Sequence, residues 1–502
     1  MGRWRPTRRQ VLTHGATAAG GMLLGCGGAF AAGRWAGRGE IPETGDPGAV
    51  LDDGSRLNPT AVRGVVFASP SPDGTARTLR PLLRRIAAGD DPPLAVAGVR
   101  HSMGGQSMLA GGWMLDTRPM NRIDLDRAGR VVRVGAGTTW RELIPVLNAA
   151  GLSPKVMQSN HDFTVGGSLS VNCHGWHTGH PPIAGTVRSL RLLTTGGDVL
   201  TCSPAENAEL FGLVLGGYGL FGIILEADLD VWPDAIYTPT FDAMPTREYV
   251  STFTSLPGSA EMAYGRLSIG PGGFLSPGPG FLEEAIMVRF TPEPGTVGTV
   301  LPLSRPGAPE LQRAVFRNSA GSDVGKTLRW WLERDAAPWL AGPMSRSSIQ
   351  NEPAAVFADR SAQTCDILHE YFVPQQRLWD FVQQARDIIR AGRVELLNIT
   401  VRDVRRDSRS TLAYAREDVF GLVMSFRQER TARGDGRMRD AARALIDAAI
   451  SVGGTFYLPY RLHATGDQLR RGHPMWDAAM AAKVRLDPHR VLRNTLFDTY
   501  AA

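Results

Sequence analysis

Gly98-Val99-Arg100-His101-Ser102-Met103-Gly104-Gly105-Gln106 is the stretch on which the fold of this chain turns. It follows Leu94-Ala95-Val96-Ala97, a short apolar run that reads as a strand. A strand that runs into a glycine-rich loop lets backbone N–H groups approach a phosphate closely, because glycine has no Cβ to hold the ligand away. One histidine, His101, stands inside the loop. Taken alone, such a loop serves equally well as a structural turn, so its neighbours must decide.

The neighbours repeat the pattern. Residues 65–67 read as a strand, 75–88 carry helical apolar spacing, and 131–137 form a strand ending in Gly135-Ala136-Gly137, followed by a helical Trp140-Arg141-Glu142-Leu143. A second glycine-rich segment is Thr164-Val165-Gly166-Gly167-Ser168-Leu169-Ser170-Val171-Asn172-Cys173-His174-Gly175, and a third is Gly216-Gly217-Tyr218-Gly219-Leu220-Phe221-Gly222-Ile223. In order and spacing these segments resemble the FAD-binding lobe of the vanillyl-alcohol oxidase and p-cresol methylhydroxylase superfamily, which includes alditol, aldonolactone and cytokinin oxidoreductases. The resemblance is strong over residues 59–234 and looser beyond.

The resemblance implies an α+β fold with two lobes, a p-cresol-methylhydroxylase-type FAD-binding lobe and an antiparallel-sheet cap. It implies FAD as cofactor. Val99, Arg100, His101, Ser102, Met103, Gly104, Gly105 and Gln106 match the loop around the pyrophosphate, and His101 matches the histidine that many members bond to the flavin. Some relatives add a second link through a cysteine before the Val-Gly-Gly stretch; Asp162-Phe163-Thr164 stands there, so one link is expected. Val165, Gly166, Gly167, Ser168, Ser170, His174 and Gly175 match further pyrophosphate and flavin contacts, and Gly222 and Ile223 match contacts near the adenosine. The lobe lacks the Gly-x-Gly-x-x-Gly fingerprint with a following acid, so no nicotinamide cofactor is expected.

A rival reading lies inside the same segment. His161, Cys173, His174, His177 and His180 fall within twenty residues, and such side chains at short spacing can ligate zinc or copper. That would make a metal-binding module. Trp176 and Pro181-Pro182 suggest an irregular loop, which does not converge ligands as a helix face does. The expectation is therefore no metal.

Beyond residue 235, strand-like runs at 262–269, 285–290, 367–373, 394–404 and 420–426 alternate with helical stretches at 378–391 and 438–452. This reads as an antiparallel sheet covered by helices. Residues 270–280 form a Gly/Pro loop, and Trp330-Trp331 read as cap packing. The expected division is 1–32 signal, 33–58 linker, 59–234 flavin lobe, 235–455 cap, and 456–502 a tail returning to the flavin lobe. In the strand 394–404, Asn398, Thr400 and Arg402 share one face and Leu397, Ile399 and Val401 the other. The polar face is expected to look at the flavin. Related sugar oxidases carry Glu-x-Arg on the matching strand, whereas this chain has Asn398-Ile399-Thr400. Residues 455–463 resemble a second family strand that faces the flavin, which would present Tyr460 for proton transfer and Arg461 for an anionic group. Asn398, Arg402, Tyr460 and Arg461 are thus the catalytic candidates. The reaction expected is oxidation of a hydroxyl-bearing sugar, polyol or lactone-like substrate, with oxygen or a quinone as acceptor. The alternative is a lipid or alkaloid-like substrate with a quinone acceptor.

The N-terminus reads as an address. Thr7-Arg8-Arg9-Gln10-Val11-Leu12 precedes a weakly apolar stretch and resembles a twin-arginine export signal. Leu23-Leu24-Gly25-Cys26 resembles a lipobox that would anchor the chain through Cys26, and Ala29-Phe30-Ala31 is a competing cleavage site. A periplasmic or cell-surface location is expected. Of the formal charge of +6, four units come from Arg3, Arg5, Arg8 and Arg9, which argues against a nucleic-acid partner for the remainder. Cys173, Cys202 and Cys365 show no paired spacing, so no disulfide framework is expected.

Overall fold

The computed structural model describes residues 49–501, apart from 257, 259–260, 273–277, 305–315, 355–358 and 360. The twin-arginine stretch, Cys26 and the centre of the 270–280 loop lie outside the described residues.

Three strands, β1 (Gly64–Phe67), β2 (Leu94–Ala97) and β3 (Trp113–Asp116), form a parallel sheet in the order β1-β3-β2. Helix α1 (Pro72–Ala88) makes the crossover. Ser71 caps it by accepting from Gly74 N–H, Pro72 supplies a preset φ at its start, and Gly89 at φ 86° ends it. Its apolar stripe buries Leu79, Leu82, Leu83 and Ile86.

A second sheet of the same lobe contains β4 (Ile123–Asp126), β5 (Val131–Gly135), β6 (Leu152–Pro154), β7 (Val187–Leu193), β8 (Val199–Cys202) and β9 (Ile223–Pro233). Its order is β8-β7-β9-β5-β4, with β6 on β9, and every pairing is antiparallel. In β9 the buried Ile223, Leu225, Ala227, Leu229 and Val231 alternate with more exposed residues from Glu226 onward, the signature of a sheet with one packed face. Helices α2 (Trp140–Ala149) and α3 (Val165–Val171) complete the lobe; Thr139 and Glu142 form a capping box at the first and Thr164 caps the second.

The cap is an eight-stranded antiparallel sheet. Its strands are β10 (Ile236–Pro245), β11 (Met262–Leu267), β12 (Glu284–Pro292), β13 (Met344–Ser345), β14 (Thr364–Pro374), β15 (Glu395–Val404), β16 (Val419–Glu429) and β17 (Thr455–Phe456), in the order β13-β10-β12-β11-β15-β16-β14-β17. Helices α4 (Leu378–Gly392) and α5 (Ala432–Ser451) pack on it. The central strands β14, β15 and β16 are buried nearly end to end, as expected of strands covered on both faces. Trp330 is buried and donates to Glu284 at 2.6 Å, whereas Trp331 stays half exposed.

One expected element is corrected. No strand runs over 455–463: β17 stops at Phe456, and residues 457–463 turn back toward the flavin lobe. Pro459 and a run of backbone contacts to loop 98–107 replace the ladder there. The tail also returns: Leu94 N–H donates to Val491 O, Arg493 N–H to Leu94 O, and Asn494 Nδ2 to Tyr218 O. Cys173, Cys202 and Cys365 are buried and unpaired. No helix among the described residues is long and apolar enough to cross a membrane.

Candidate active site

Loop 98–107 is held from three sides. Asp53, itself buried, accepts Gly105 N–H at 2.8 Å. Burial pushes its carboxyl above the usual carboxylate range, against the pull of those hydrogen bonds. Gln106 works as a staple: its Oε1 accepts Gly104 N–H at 2.9 Å, and its Nε2 donates to Leu458 O at 2.7 Å and Tyr460 O at 2.6 Å. Met103 N–H donates to Pro459 O at 2.8 Å. Glycine is required at two of these contacts. A Cβ at Gly104 would lie 2.5 Å from Tyr460 O, and one at Gly98 would lie 2.1 Å from Thr164 Oγ1.

The loop, α3 and the cap line one cleft that opens to solvent. Of the loop, Val99, Arg100, His101, Ser102 and Gln106 line it; Met103, Gly104 and Gly105 stand behind. Gly166, Gly167, Ser168, Ser170 and His174 line it, while Val165 and Gly175 do not; Gly222 lines it and Ile223 does not. The glycine N–H groups of α3 are engaged internally: Gly166 donates to Ala136 O and Gly167 to Thr164 Oγ1. A Cβ at Gly166 would lie 2.7 Å from that of Ala136, so this glycine seats the helix on the chain after β5.

The cleft fits FAD. Among the described residues, the backbone N–H groups of Ser102, Ser107, Gly219 and Gly222 meet no protein acceptor, and neither does the buried Ser107 hydroxyl. All four residues line the cleft. Unsatisfied donors on two loops facing one cavity suit a pyrophosphate. His101 is half buried, its ring 4.5 Å from that of Phe163 between centroids. Burial pushes its imidazole down to about 4, with Asp162 opposing, so the ring is neutral near pH 7.

The cap wall carries chemistry that sequence reading did not find. Glu370 of β14 is buried; its Oε1 lies 2.6 Å from His174 Nε2, and its Oε2 accepts from Tyr460 Oη at 3.2 Å. His174 Nδ1 has no protein partner. The His174 ring stands among Phe372, Tyr414 and Tyr457 at centroid distances of 5.3–6.1 Å. Tyr457 donates to Val171 O and Tyr414 to Asn172 O, each at 2.7 Å, which pins the chain that carries His174. Arg402 of β15 joins this wall; burial pulls its guanidinium downward and nearby Glu370 opposes that. Burial, then Glu370, pushes the Tyr460 phenol far above its ordinary range.

The four catalytic candidates separate. Arg402 and Tyr460 line the cleft; Asn398 and Arg461 do not. Asn398 and Arg402 are four residues apart, about 13 Å along a strand, so a shared polar strand does not reach one site throughout. Arg461 donates to Asn58 Oδ1 at 2.8 Å and to Asp435 Oδ1 at 2.7 Å, away from the cleft. The candidate metal cluster also disperses. His161 Nδ1 sits 2.8 Å from Asn351 Oδ1, His174 bonds Glu370, His177 Nε2 lies 2.7 Å from Gln350 Nε2, and His180 packs edge-on to Trp232. Cys173 is a buried thiol pushed up to about 12. Among the described residues no group of three or more His, Cys, Asp or Glu can hold a metal ion.

Residues 82–203 match the family described as FAD binding domain. The chain is 26% identical over 471 residues to Cytokinin dehydrogenase 10 of Oryza sativa subsp. japonica, covering 84% of this chain and 83% of the relative. It is 33% identical over 168 residues to Cytokinin dehydrogenase 1 of the same plant, covering 32% of each chain. It is 35% identical over 146 residues to an uncharacterized oxidoreductase, ORF5 in the fasciation locus of Rhodococcoides fascians, covering 29% of this chain and 33% of that one. The alignments of higher identity thus span about a third of those relatives' length. The family match falls where the loop at 98–107 and helix α3 build the cleft, and the chain therefore carries an FAD-binding domain with FAD as its cofactor.

Proposed function

We propose that this chain is an exported FAD-dependent oxidoreductase that oxidises a hydroxyl-bearing organic substrate. The observation that carries this reading is the chain of hydrogen bonds His174–Glu370–Tyr460 on the wall of a cleft lined by His101. When bound, FAD supplies a hydride acceptor for a C–H bond next to a heteroatom. The protein must then take the heteroatom's proton. His174 is suited to that task. With Nε2–H donating to Glu370, the tautomer that takes a proton has its lone pair on Nδ1, the atom without a protein partner. Glu370 is a positioning residue: it fixes the tautomer and balances the imidazolium formed. Tyr460 donates to Glu370, and its raised phenol makes it a donor rather than a base. Arg402 offers positive charge on the same wall.

His101 is the proposed covalent anchor of the flavin. A neutral imidazole is the form that bonds a carbon electrophile, and an exported protein cannot readily replace a lost cofactor. Export by the twin-arginine route, with Cys26 as a lipid anchor, completes the reading. Arg8→Lys with Arg9→Lys should retain the protein in the cytoplasm, and Cys26→Ala should release it from membranes; unchanged fractionation in both would end the proposal on location.

A second reading is oxidation at a C–N bond, favoured by the alignment with the cytokinin dehydrogenase over most of both chains. Anaerobic mixing with polyols, aldoses and lactones on one side, and N6-alkylated adenines on the other, decides between them by which set bleaches the flavin. Bleaching by the adenines alone would overturn the hydroxyl reading. Rapid mixing of reduced protein with oxygen or a quinone identifies the acceptor.

A further inference from the structure

The tail over 483–495 holds, from behind, both backbone loops that border the cleft. Leu94 N–H donates to Val491 O at 2.8 Å and Arg493 N–H to Leu94 O at 3.1 Å, at the start of the strand that leads into loop 98–107. Thr495 donates through its N–H and its Oγ1 to Met108 O, each at 3.0 Å, just past that loop. The same stretch reaches the third glycine segment. Asn494 Nδ2 donates to Tyr218 O at 2.8 Å. Lys483 Nζ, buried and paired with Asp487, donates to Leu220 O at 2.7 Å.

The grip on Tyr218 has a direction. Tyr218 has φ 54°, in the left-handed region that residues other than glycine avoid, so its surroundings must hold it there. They do: its N–H donates to Ser170 O at 2.9 Å, and its carbonyl is taken by Asn494. The carbonyl of one trans peptide and the N–H that follows it point to opposite sides. Fixing Tyr218 O on the tail side therefore turns Gly219 N–H to the other side, and Gly219 lines the cleft. Asn494 has a second task that can be separated from this one. Its Oδ1 accepts Phe497 N–H at 3.1 Å and caps the helix Thr495–Tyr500. The cap needs an acceptor, whereas the grip on Tyr218 needs a donor.

We propose that Asn494, supported by Lys483, is a positioning residue for the adenylate half of FAD. By setting the Gly219 peptide it sets the preference of the cleft for FAD over FMN, which lacks that half. The loop it acts on also carries Gly222 and Ile223, the residues matched to contacts near the adenosine. His101, His174 and Glu370, which serve the proposed chemistry, stand on other segments. The effect of Asn494 therefore falls on one end of the cofactor. The inference requires FAD in the cleft and holds for any substrate.

The test compares two flavins on one protein. Full-length His101→Ala protein holds its flavin without a bond at that position, so it can be stripped by dialysis and titrated with FAD or FMN, binding being followed by protein fluorescence. This parent should bind FAD about a hundredfold or more tightly than FMN, since the adenylate half brings several charge-assisted hydrogen bonds. Two further changes are made in it. Asn494→Ser is a short neutral cap, and Asn494→Asp keeps the shape but puts an acceptor where the donor stood; both retain the helix cap. Each should weaken FAD by about tenfold or more, the loss of one buried hydrogen bond, and leave FMN within about twofold of the parent. FMN binding thus reports in the same titration that the variant is folded. Equal weakening of FAD and FMN would make Asn494 a purely structural residue. Unchanged FAD affinity would free the Gly219 peptide from it, and a parent that binds both flavins alike would remove the preference itself. Any of these three results overturns the proposal.

Discussion

Loop 98–107 and the cap wall face the same cleft but are built by opposite means. The loop is contiguous: ten residues in a row, with glycines where backbone must pass close and His101 between them. The wall is assembled from His174 of the flavin lobe, Glu370 of β14, Arg402 of β15 and Tyr460 after β17. Nearly two hundred positions separate His174 from its partner Glu370. A cofactor with an invariant phosphate can be gripped by backbone, which any sequence with the right glycines supplies. A proton must be moved by particular side chains at hydrogen-bond distance, and only folding places them.

The comparison can be broken at each side in turn. The largest effect is expected at His101. Acid-precipitated wild-type protein should stay yellow and fluoresce on a denaturing gel, and His101→Ala should release all its flavin on denaturation. Colourless wild-type precipitate would remove the covalent link and leave His101 as a ring packed on Phe163. On the cap side, Glu370→Gln should slow flavin reduction by substrate on the order of 10²–10⁴ fold in single turnover, with the flavin spectrum kept. A Gln side chain preserves the shape but not the charge that balances His174. Wild-type reduction rates in that variant would place the base elsewhere.

Where the two regions are joined, the effect should be on stability. Gln106→Ala removes three hydrogen bonds and strands the carbonyls of Leu458 and Tyr460, costing about 2–3 kcal/mol in denaturant unfolding. A shift in the unfolding midpoint too small to resolve would mean that the loop and the 457–460 turn hold together without their staple. The smallest effect is expected at Arg461. Its ion pair with the partly exposed Asp435 is worth under about 1 kcal/mol, and Arg461→Ala should leave flavin reduction unchanged. A reduction rate that fell with Arg461→Ala would bring that residue back among the catalytic groups.

The sequence by itself determined the flavin lobe, because its signals are local. The strands at 65–67, 94–97 and 131–137, the helical spacing of 75–88 and three glycine segments in order are each legible within ten or twenty residues. It also identified the cap as antiparallel strands with helices, to within a few residues at most ends. It could not separate Arg402 from Asn398, which share strand and polarity, because distance along a strand matters only once a cleft exists at one end. The reading of 455–463 as a strand came from its resemblance to a family strand that faces the flavin; the hydrogen bonds of Gln106 and Met103 claimed that backbone instead. Glu370 carried no local signal at all: one of two acids in a largely apolar strand, flanked by His369 and Tyr371. The packing of β14 against the turn after α3 made it the partner of His174, since a carboxylate so deeply buried must find donors and these were the ones the fold brought within reach.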